Sequence, residues 1–600
     1  MFSEVPSLRQ VVVAALLFSI PFQFSYFVTW LLFFTTVRSK ASGKKPPTLP
    51  YCIPILGSVV SYVADPLKFI TTIGANEELS PLRIKLFTQE VVLLRGSGNI
   101  EQLWRQSRLS SSTAIFSFVL SYMFGMGKRA ARRYQLDDSG ANARPHPDSR
   151  VLPHNRIDYR THQGLHQFLL GSGLAPLFDR FQRLFSARLA RIEATGGTDG
   201  EGSWVEKADF FDFMALELTP ATITAMCGPT LLRLSPDFPR LFWEYNEWIP
   251  AFSKGLPRLF IPKAYAVRDG LLESIKAWHR YATRETSKLE VKPAGEEDPF
   301  WGSKFFRDRQ STLLAVDDYD EDAIASEDFG SIWGFNTNAI LASIWATLDV
   351  FRDPELLGRV RREVEQCSTS TTECGLDMDE LQRRPLLQAV CAETLRLRVH
   401  VYISRYAERE ELNIGGDQWS IPPKSVVLVS TTTAHLDEGA WNTGRGGRHP
   451  VDAFWADRFL VVPGDDEKYG PMKAAATQGR PAATAKRGQL HRRDSLVDDM
   501  GGIGKGTVEE IRFAGDSVGS GSLFPFGGGA RMCPGRHFAK REMLLTMALM
   551  VRDFDVEVTA DSKALEMGWK DFGLGTQRPK GRVPFRLRRR RFGVALQVQG

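Results

Sequence analysis

Cysteine is scarce in this chain. Six are scattered over 600 residues, at Cys52, Cys227, Cys367, Cys374, Cys391 and Cys533. Neither their number nor their spacing suits a disulfide scaffold or a zinc module, so a reducing compartment is expected. A one-signed charge excess is also missing, because 76 basic residues meet 70 acidic ones and leave +6. That balance argues against a nucleic-acid partner, and the basic run 586–591 reads as a solvated strand or tail. No internal repeat is visible. With 43% hydrophobic and 24% charged residues the composition is that of a globular protein, long enough for a large buried core.

Long uncharged runs are lacking at the N-terminal end except for Val11 to Val37. As a helix it would span about 40 Å, more than the roughly 30 Å of a bilayer's hydrocarbon core. Pro21 is a candidate kink, and Tyr26 and Trp30 are aromatics of the interfacial kind. A cleaved signal peptide would have a shorter apolar region, so an anchor is the better reading. Arg38, Lys40, Lys44 and Lys45 follow, against Arg9 on the other flank, which puts the rest of the chain on the cytosolic side. The expected division is a membrane anchor at 1–37, a basic and proline-rich hinge at 38–57, and a catalytic body at 58–600. Within the body, residues 462–522 are poor in large apolar side chains and read as a disordered insert. Its basic cluster (Arg480, Lys486, Arg487, Arg492, Arg493) offers charge to a membrane or an acidic partner, but a solvated loop suits the composition better.

The richest passage is Phe526-Gly527-Gly528-Gly529-Ala530-Arg531-Met532-Cys533-Pro534-Gly535. A helix expected from about Pro534 would turn its free N–H groups toward the sulfur and favour a thiolate. Glycines let the backbone pass close to a flat group, Arg531 can pair with a carboxylate, and Phe526 can pack near the sulfur. Phe526, Gly529, Arg531, Cys533 and Gly535 together resemble the signature of the cytochrome P450 family. Two further segments add to the resemblance. Glu393 and Arg396 share a helix face at i and i+3, and Phe454 to Phe459 is similar to the family's aromatic-Arg-Phe element, with Ala456 where proline is frequent.

The resemblance implies a mainly α fold with small β sheets, the cytochrome P450 fold, preceded by one N-terminal transmembrane helix. It implies heme b with Cys533 as the axial ligand to iron, and a buried Glu393, Arg396 and Arg458 network bracing the thiolate side. Arg405 and Arg531 are then expected at the haem propionates. His162 and His166, on a helix beginning near His162, are candidates for the same task, although the family's usual Trp-x-x-x-Arg is absent; surface histidines are an equal reading. The proline-rich stretch after the anchor is similar to that of microsomal members, which implies the endoplasmic-reticulum membrane.

The segment from Phe329 to Leu348 is apolar all round, as a helix buried in a large domain would be. It resembles the family's helix over the distal haem face but carries no acid. Its pattern is similar to the branch of sterol 7-hydroxylases and prostacyclin synthase, where asparagine replaces the acid. Asn338 and Ala339 fill the acid and alcohol places in one register, Asn336 and Thr337 in the other. Asn338 and Thr337 are the candidate catalytic residues. The function implied is a monooxygenase acting on a lipophilic sterol, terpenoid or polyketide-like compound, of the secondary-metabolite kind, with electrons from an NADPH-dependent reductase. Two alternatives remain: an isomerase or dehydratase acting on a peroxide without reductase, and a haem gas sensor without turnover.

The anchor reading is tested by deleting residues 1–37. The truncated protein should move substantially from the membrane to the soluble fraction, and in intact membranes protease should reach the body from the cytosolic side. A luminal body would contradict the orientation.

Overall fold

The computed structural model describes residues 8–39, 41–73, 80–87, 89–106, 110–111, 113–192, 204–290, 295–407, 410–461, 470–473 and 511–590. The chain divides into two compact units. The first comprises Met1–Ser112, Tyr402–Ala434 and Gly519–Met532, and the second Thr113–Val401, His435–Val518 and Cys533–Gly600.

In the first unit the N-terminal helix is Leu8–Arg38. Its part Ser19–Arg38 has a mean hydropathy of 1.4 and is almost entirely unburied, so length and composition allow it to cross a membrane. The helix is not a bare tether. Ser25 and Thr29 hydroxyls donate to the Tyr51 carbonyl at 3.3 and 3.2 Å, and the Tyr51 amide donates back to Thr29 Oγ1. Leu82–Leu86 and Gln89–Leu94 form an antiparallel pair. Val426–Ser430 adds in parallel to the second of these and pairs antiparallel with Tyr402–Tyr406. β-branched and aromatic side chains fill this sheet, as its half-buried faces require.

The second unit is built around the central helix, Glu321–Phe351. Asp320 caps its start by accepting from the Ala323 amide at 2.8 Å, and Glu321 and Asp322 suit the positive end of the dipole. It stops where Asp353 caps the next helix, Pro354–Glu365, whose first residue is the proline. Helices Phe210–Cys227, Pro262–Ser287 and Arg536–Asp553 pack on it. Near its start Arg309 pairs with Glu327 at 2.6 Å and Asp328 at 2.7 Å, while the Tyr134 and Tyr319 hydroxyls donate to Glu327. A separate sheet joins Phe554–Val558, Phe585–Arg589 and Val205–Lys207. The basic run lies in it as far as Arg589, with Arg586 and Arg588 facing Glu557 and Asp555.

Several boundaries differ from the sequence expectation. The central helix extends a further turn or two beyond Phe329 to Leu348 because its acidic cap lies earlier. The helix bearing His162 starts earlier than expected, at Ile157. The helix after Cys533 starts at Arg536, since Pro534 and Gly535 form a turn. The insert is not without order throughout: Arg512–Phe513 pairs with Leu460–Val461, and Pro471 accepts from the Asn442 amide at 2.8 Å. The basic cluster Arg480 to Arg493 lies outside the described residues.

Glu542, fully buried on the helix after Cys533, accepts one hydrogen bond from Thr222 at 3.1 Å, and burial pushes its carboxyl up to about 8. A folded-state pKa above the unfolded one means that its contribution is complete below about pH 4.5 and is lost as pH rises toward 8, on the order of 4 kcal/mol in all. Glu542→Gln keeps the acceptor for Thr222. It should raise the thermal midpoint at pH 8 and leave it nearly unchanged at pH 5; an equal shift at both would contradict a neutral buried acid.

Candidate active site

The loop containing Cys533 crosses from the first unit to the second between Met532 and Cys533. On the first side, Gly527 and Gly529 have φ of +75° and +68°, a region that side chains disfavour. A Cβ on Gly528 would press into the Trp104 ring, so the third glycine is needed for close packing. Phe526 and Arg531 are half-buried here. Arg405 is buried beside them; its guanidinium donates to the Gly528 carbonyl at 3.1 Å and lies 5.3 Å from the Trp104 ring. It has no carboxylate partner among the described residues, and its Nε makes no hydrogen bond. Burial first, and the like charge of Arg531 second, hold its pKa down to about 10. Two neighbouring guanidiniums, one buried without an acid, form a place for an anion.

On the second side, Cys533 is accessible. Burial nonetheless raises its thiol above the ordinary value, while the Gly535 amide, the Arg536 charge and the Arg536 amide act the other way. The expected helix-end effect is present in sign but does not outweigh burial. A Cβ on Gly535 would lie 3.7 Å from the sulfur, an ordinary contact. Arg536 donates to the Cys533 carbonyl at 3.0 Å. Leu169, at the end of the helix Ile157–Leu169, is also near this turn. His162 and His166 on that helix are half-buried with ring centroids 4.0 Å apart. The His166 Nε2 is buried and has no hydrogen-bond partner, and burial followed by Arg536 lowers its pKa.

The central helix is closed along most of its length but not in the middle. Gly330, Ser331, Trp333, Gly334, Asn338 and Ala339 interrupt the burial, and Gly334 is exposed. A Cβ on Gly334 would meet nothing within 4 Å. No charged side chain lies in this stripe. Asn338 and Ala339 are half-buried there, whereas Asn336 and Thr337 are buried, each bonded to the carbonyl four residues earlier. Asn338 Oδ1 accepts from the Thr576 amide at 2.8 Å. Nothing local in the sequence marks that contact.

Glu393, Arg396 and Arg458 meet with none of the three exposed. Glu393 takes a bidentate grip from Arg396 at 2.7 and 2.8 Å, then Arg458 Nε at 3.2 Å and the Trp455 amide at 3.1 Å. Arg396 also donates to the His435 carbonyl at 2.7 Å, and Arg458 to carbonyls of Asn442 and Pro450. Burial opposes charge on Glu393, but the guanidiniums and the amide prevail and lower its pKa. Ion pairs saturated in this way tolerate burial; one partner left alone does not.

Taken separately, the two units hold what a haem with a thiolate ligand needs: an accessible sulfur under helix amides, and a buried cation short of an anion. Glu393→Ala should therefore lower the yield of haem-loaded protein sharply, because two buried cations lose their acid at a cost of about 3–5 kcal/mol. Normal loading and thermal midpoint in that variant would contradict the bracing role.

The model of the family described as Cytochrome P450 matches residues 334–444 and 511–585. The chain is 30% identical over 577 residues to cytochrome P450 monooxygenase fsoE of Humicola fuscoatra, covering 94% of this chain and 92% of that one. It is 30% identical over 579 residues to cytochrome P450 monooxygenase efuG of Hormonema carpetanum, with coverage of 93% and 92%. Similarity also extends to the 25-hydroxycholesterol 7-alpha-hydroxylase of Rattus norvegicus, at 20% identity over 486 residues, 78% of this chain and 98% of that one. With 30% identity to such enzymes over more than nine-tenths of its length, the chain belongs to the cytochrome P450 family of haem-thiolate monooxygenases.

Proposed function

We propose that this protein oxidises a lipophilic small molecule, a sterol, terpenoid or polyketide-like compound, at the endoplasmic-reticulum membrane. Dioxygen is the oxidant and an NADPH-dependent reductase supplies the electrons. The observation that carries the substrate class is the accessible stripe of the central helix, which offers glycine, serine, indole, asparagine and alanine but no charge. A charged substrate would find no counter-ion there, while an apolar one loses no hydrogen bonds on entering. The apolar helix Ser19–Arg38 supports delivery of the substrate from a membrane. Two of the relatives carry sterol-oxidising names, a cholesterol 7-alpha-monooxygenase and the 25-hydroxycholesterol 7-alpha-hydroxylase.

Bound haem supplies oxygen activation, with the thiolate favouring O–O cleavage. The chain's own residues hold and orient. Cys533 would hold the haem iron through its sulfur, at which the Gly535 and Arg536 amides are directed. Arg531 and Arg405 would hold the propionates, and His162 and His166 would add donors on the helix of the second unit; Phe526, Gly529 and Gly535 shape the loop. Asn338 and Thr337 serve proton delivery on the distal side. Neither side chain ionises, so protons pass through water held by the amide and hydroxyl.

The missing acid is equally suited to a peroxide isomerase or dehydratase, which requires no proton delivery and no reductase. Turnover of candidate lipophilic substrates with isotopically labelled dioxygen, reductase and NADPH separates the readings. Monooxygenation gives one labelled oxygen atom per product with reductant consumed, and Thr337→Ala should release more peroxide per reductant used. Conversion of a peroxide substrate without reductant, or binding of oxygen with no turnover on any substrate, would overturn it.

A further inference from the structure

The strand Leu574–Thr576 reaches the middle of the central helix at Asn338. Two hydrogen bonds join them: the Thr576 amide donates to Asn338 Oδ1 at 2.8 Å, and the Thr576 hydroxyl donates to the Asn338 backbone carbonyl at 3.1 Å. The preceding residue is glycine for a steric reason, since a Cβ on Gly575 would overlap the Asn338 carboxamide. The strand is itself fixed. Its Leu574, Gly575 and Thr576 pair with Val401, His400 and Val399, the Gln577 amide donates to the Arg398 carbonyl at 2.9 Å, and the Trp345 indole donates to the Gln577 carbonyl at 2.7 Å. Arg578, two residues beyond Thr576, is tied to Asp212 and Glu247.

This contact decides which way the carboxamide points. Oxygen and nitrogen of an asparagine are ordinarily hard to tell apart, but a backbone amide can only donate, so the atom facing Thr576 must be the oxygen. The Nδ2 group then has no partner among the described residues, on a half-buried side chain one turn from the open space at Gly334. We propose that Thr576 is a positioning residue that fixes Asn338 with its N–H2 edge toward the accessible stripe, making Asn338 an oriented hydrogen-bond donor there. The inference rests on the distal reading of the central helix. It narrows what Asn338 does: the amide holds an acceptor oxygen, of substrate, water or bound diatomic ligand, and its own oxygen is not available to a relay.

Two measurements on the full chain test this. The first needs no ligand: Gly575→Ala should lower the thermal midpoint by crowding Asn338, and adding Asn338→Ala should restore most of the loss. The second uses carbon monoxide on the reduced holoprotein and reads the C–O stretch, which a nearby donor lowers. The parent and Thr576→Ser, which keeps both bonds, should share one band. Asn338→Ala and Gly575→Ala should each shift that band to higher frequency by the same amount, and the double variant no further. Additive midpoint losses, or a band unmoved by Gly575→Ala while Asn338→Ala moves it, would overturn the positioning role. A band unmoved by Asn338→Ala would overturn the donor. Failure of the haem-thiolate reading is distinguishable, because it removes the red-shifted Soret band of the carbonyl form and leaves the midpoint test standing.

Discussion

A carboxylate placed where no water can reach it needs cations held in fixed geometry, and the second unit is organised around one such group. Glu393 accepts from Arg396, Arg458 and the Trp455 amide, three of the four hydrogen bonds reaching Oε1. The helix carrying it, Pro385–Arg398, packs against the central helix, the helix after Cys533 and the short turn Ala456–Phe459. Through Arg396 and Arg458 the same carboxylate ties down backbone carbonyls from His435 to Pro450. The helix after Cys533 and the central helix with its accessible stripe are thus packed on a helix whose own position is set by charge. Such a cluster contributes less to net stability than to uniqueness of arrangement, since the desolvation it costs is of the same order as the attraction it gains.

Cysteine chemistry in this chain is decided by surroundings rather than by residue type. Cys391 is also near the helix after Cys533 but is buried, and its thiol is pushed up to about 12. Cys227 is raised by burial and by Asp328. Cys533 alone among the second unit's cysteines combines accessibility with amides and an arginine that oppose burial. Within the first unit the glycines before it are required by their own surroundings, two by positive φ and one by its contact with Trp104.

Much of the site was legible because it is written in short spacings. Glu393 and Arg396 are one helical turn apart, and Phe526 to Gly535 is continuous. What was not legible depends on pairs distant in sequence. Asn338 and Thr576 are separated by 238 residues, and no local pattern foretells that a strand amide captures the asparagine oxygen. The same holds for Arg309 with Glu327 and Asp328, and for Glu542 with Thr222 at a separation of 320. Composition misjudged the insert's base, because a two-residue strand pair needs little apolar surface when its partner is already in place. It also missed the hydroxyls of Ser25 and Thr29, which tie the apolar N-terminal helix to Tyr51.

The central claim is that Cys533 supplies the thiolate to the haem. The absorption spectrum of the reduced, carbon monoxide-bound full-length protein tests it most directly, read beside Cys533→Ser and Cys391→Ser. The parent and Cys391→Ser should show the red-shifted Soret band that reports thiolate ligation, and Cys533→Ser should lack it. Absence of the band from the haem-loaded parent, or its survival in Cys533→Ser, would contradict the assignment.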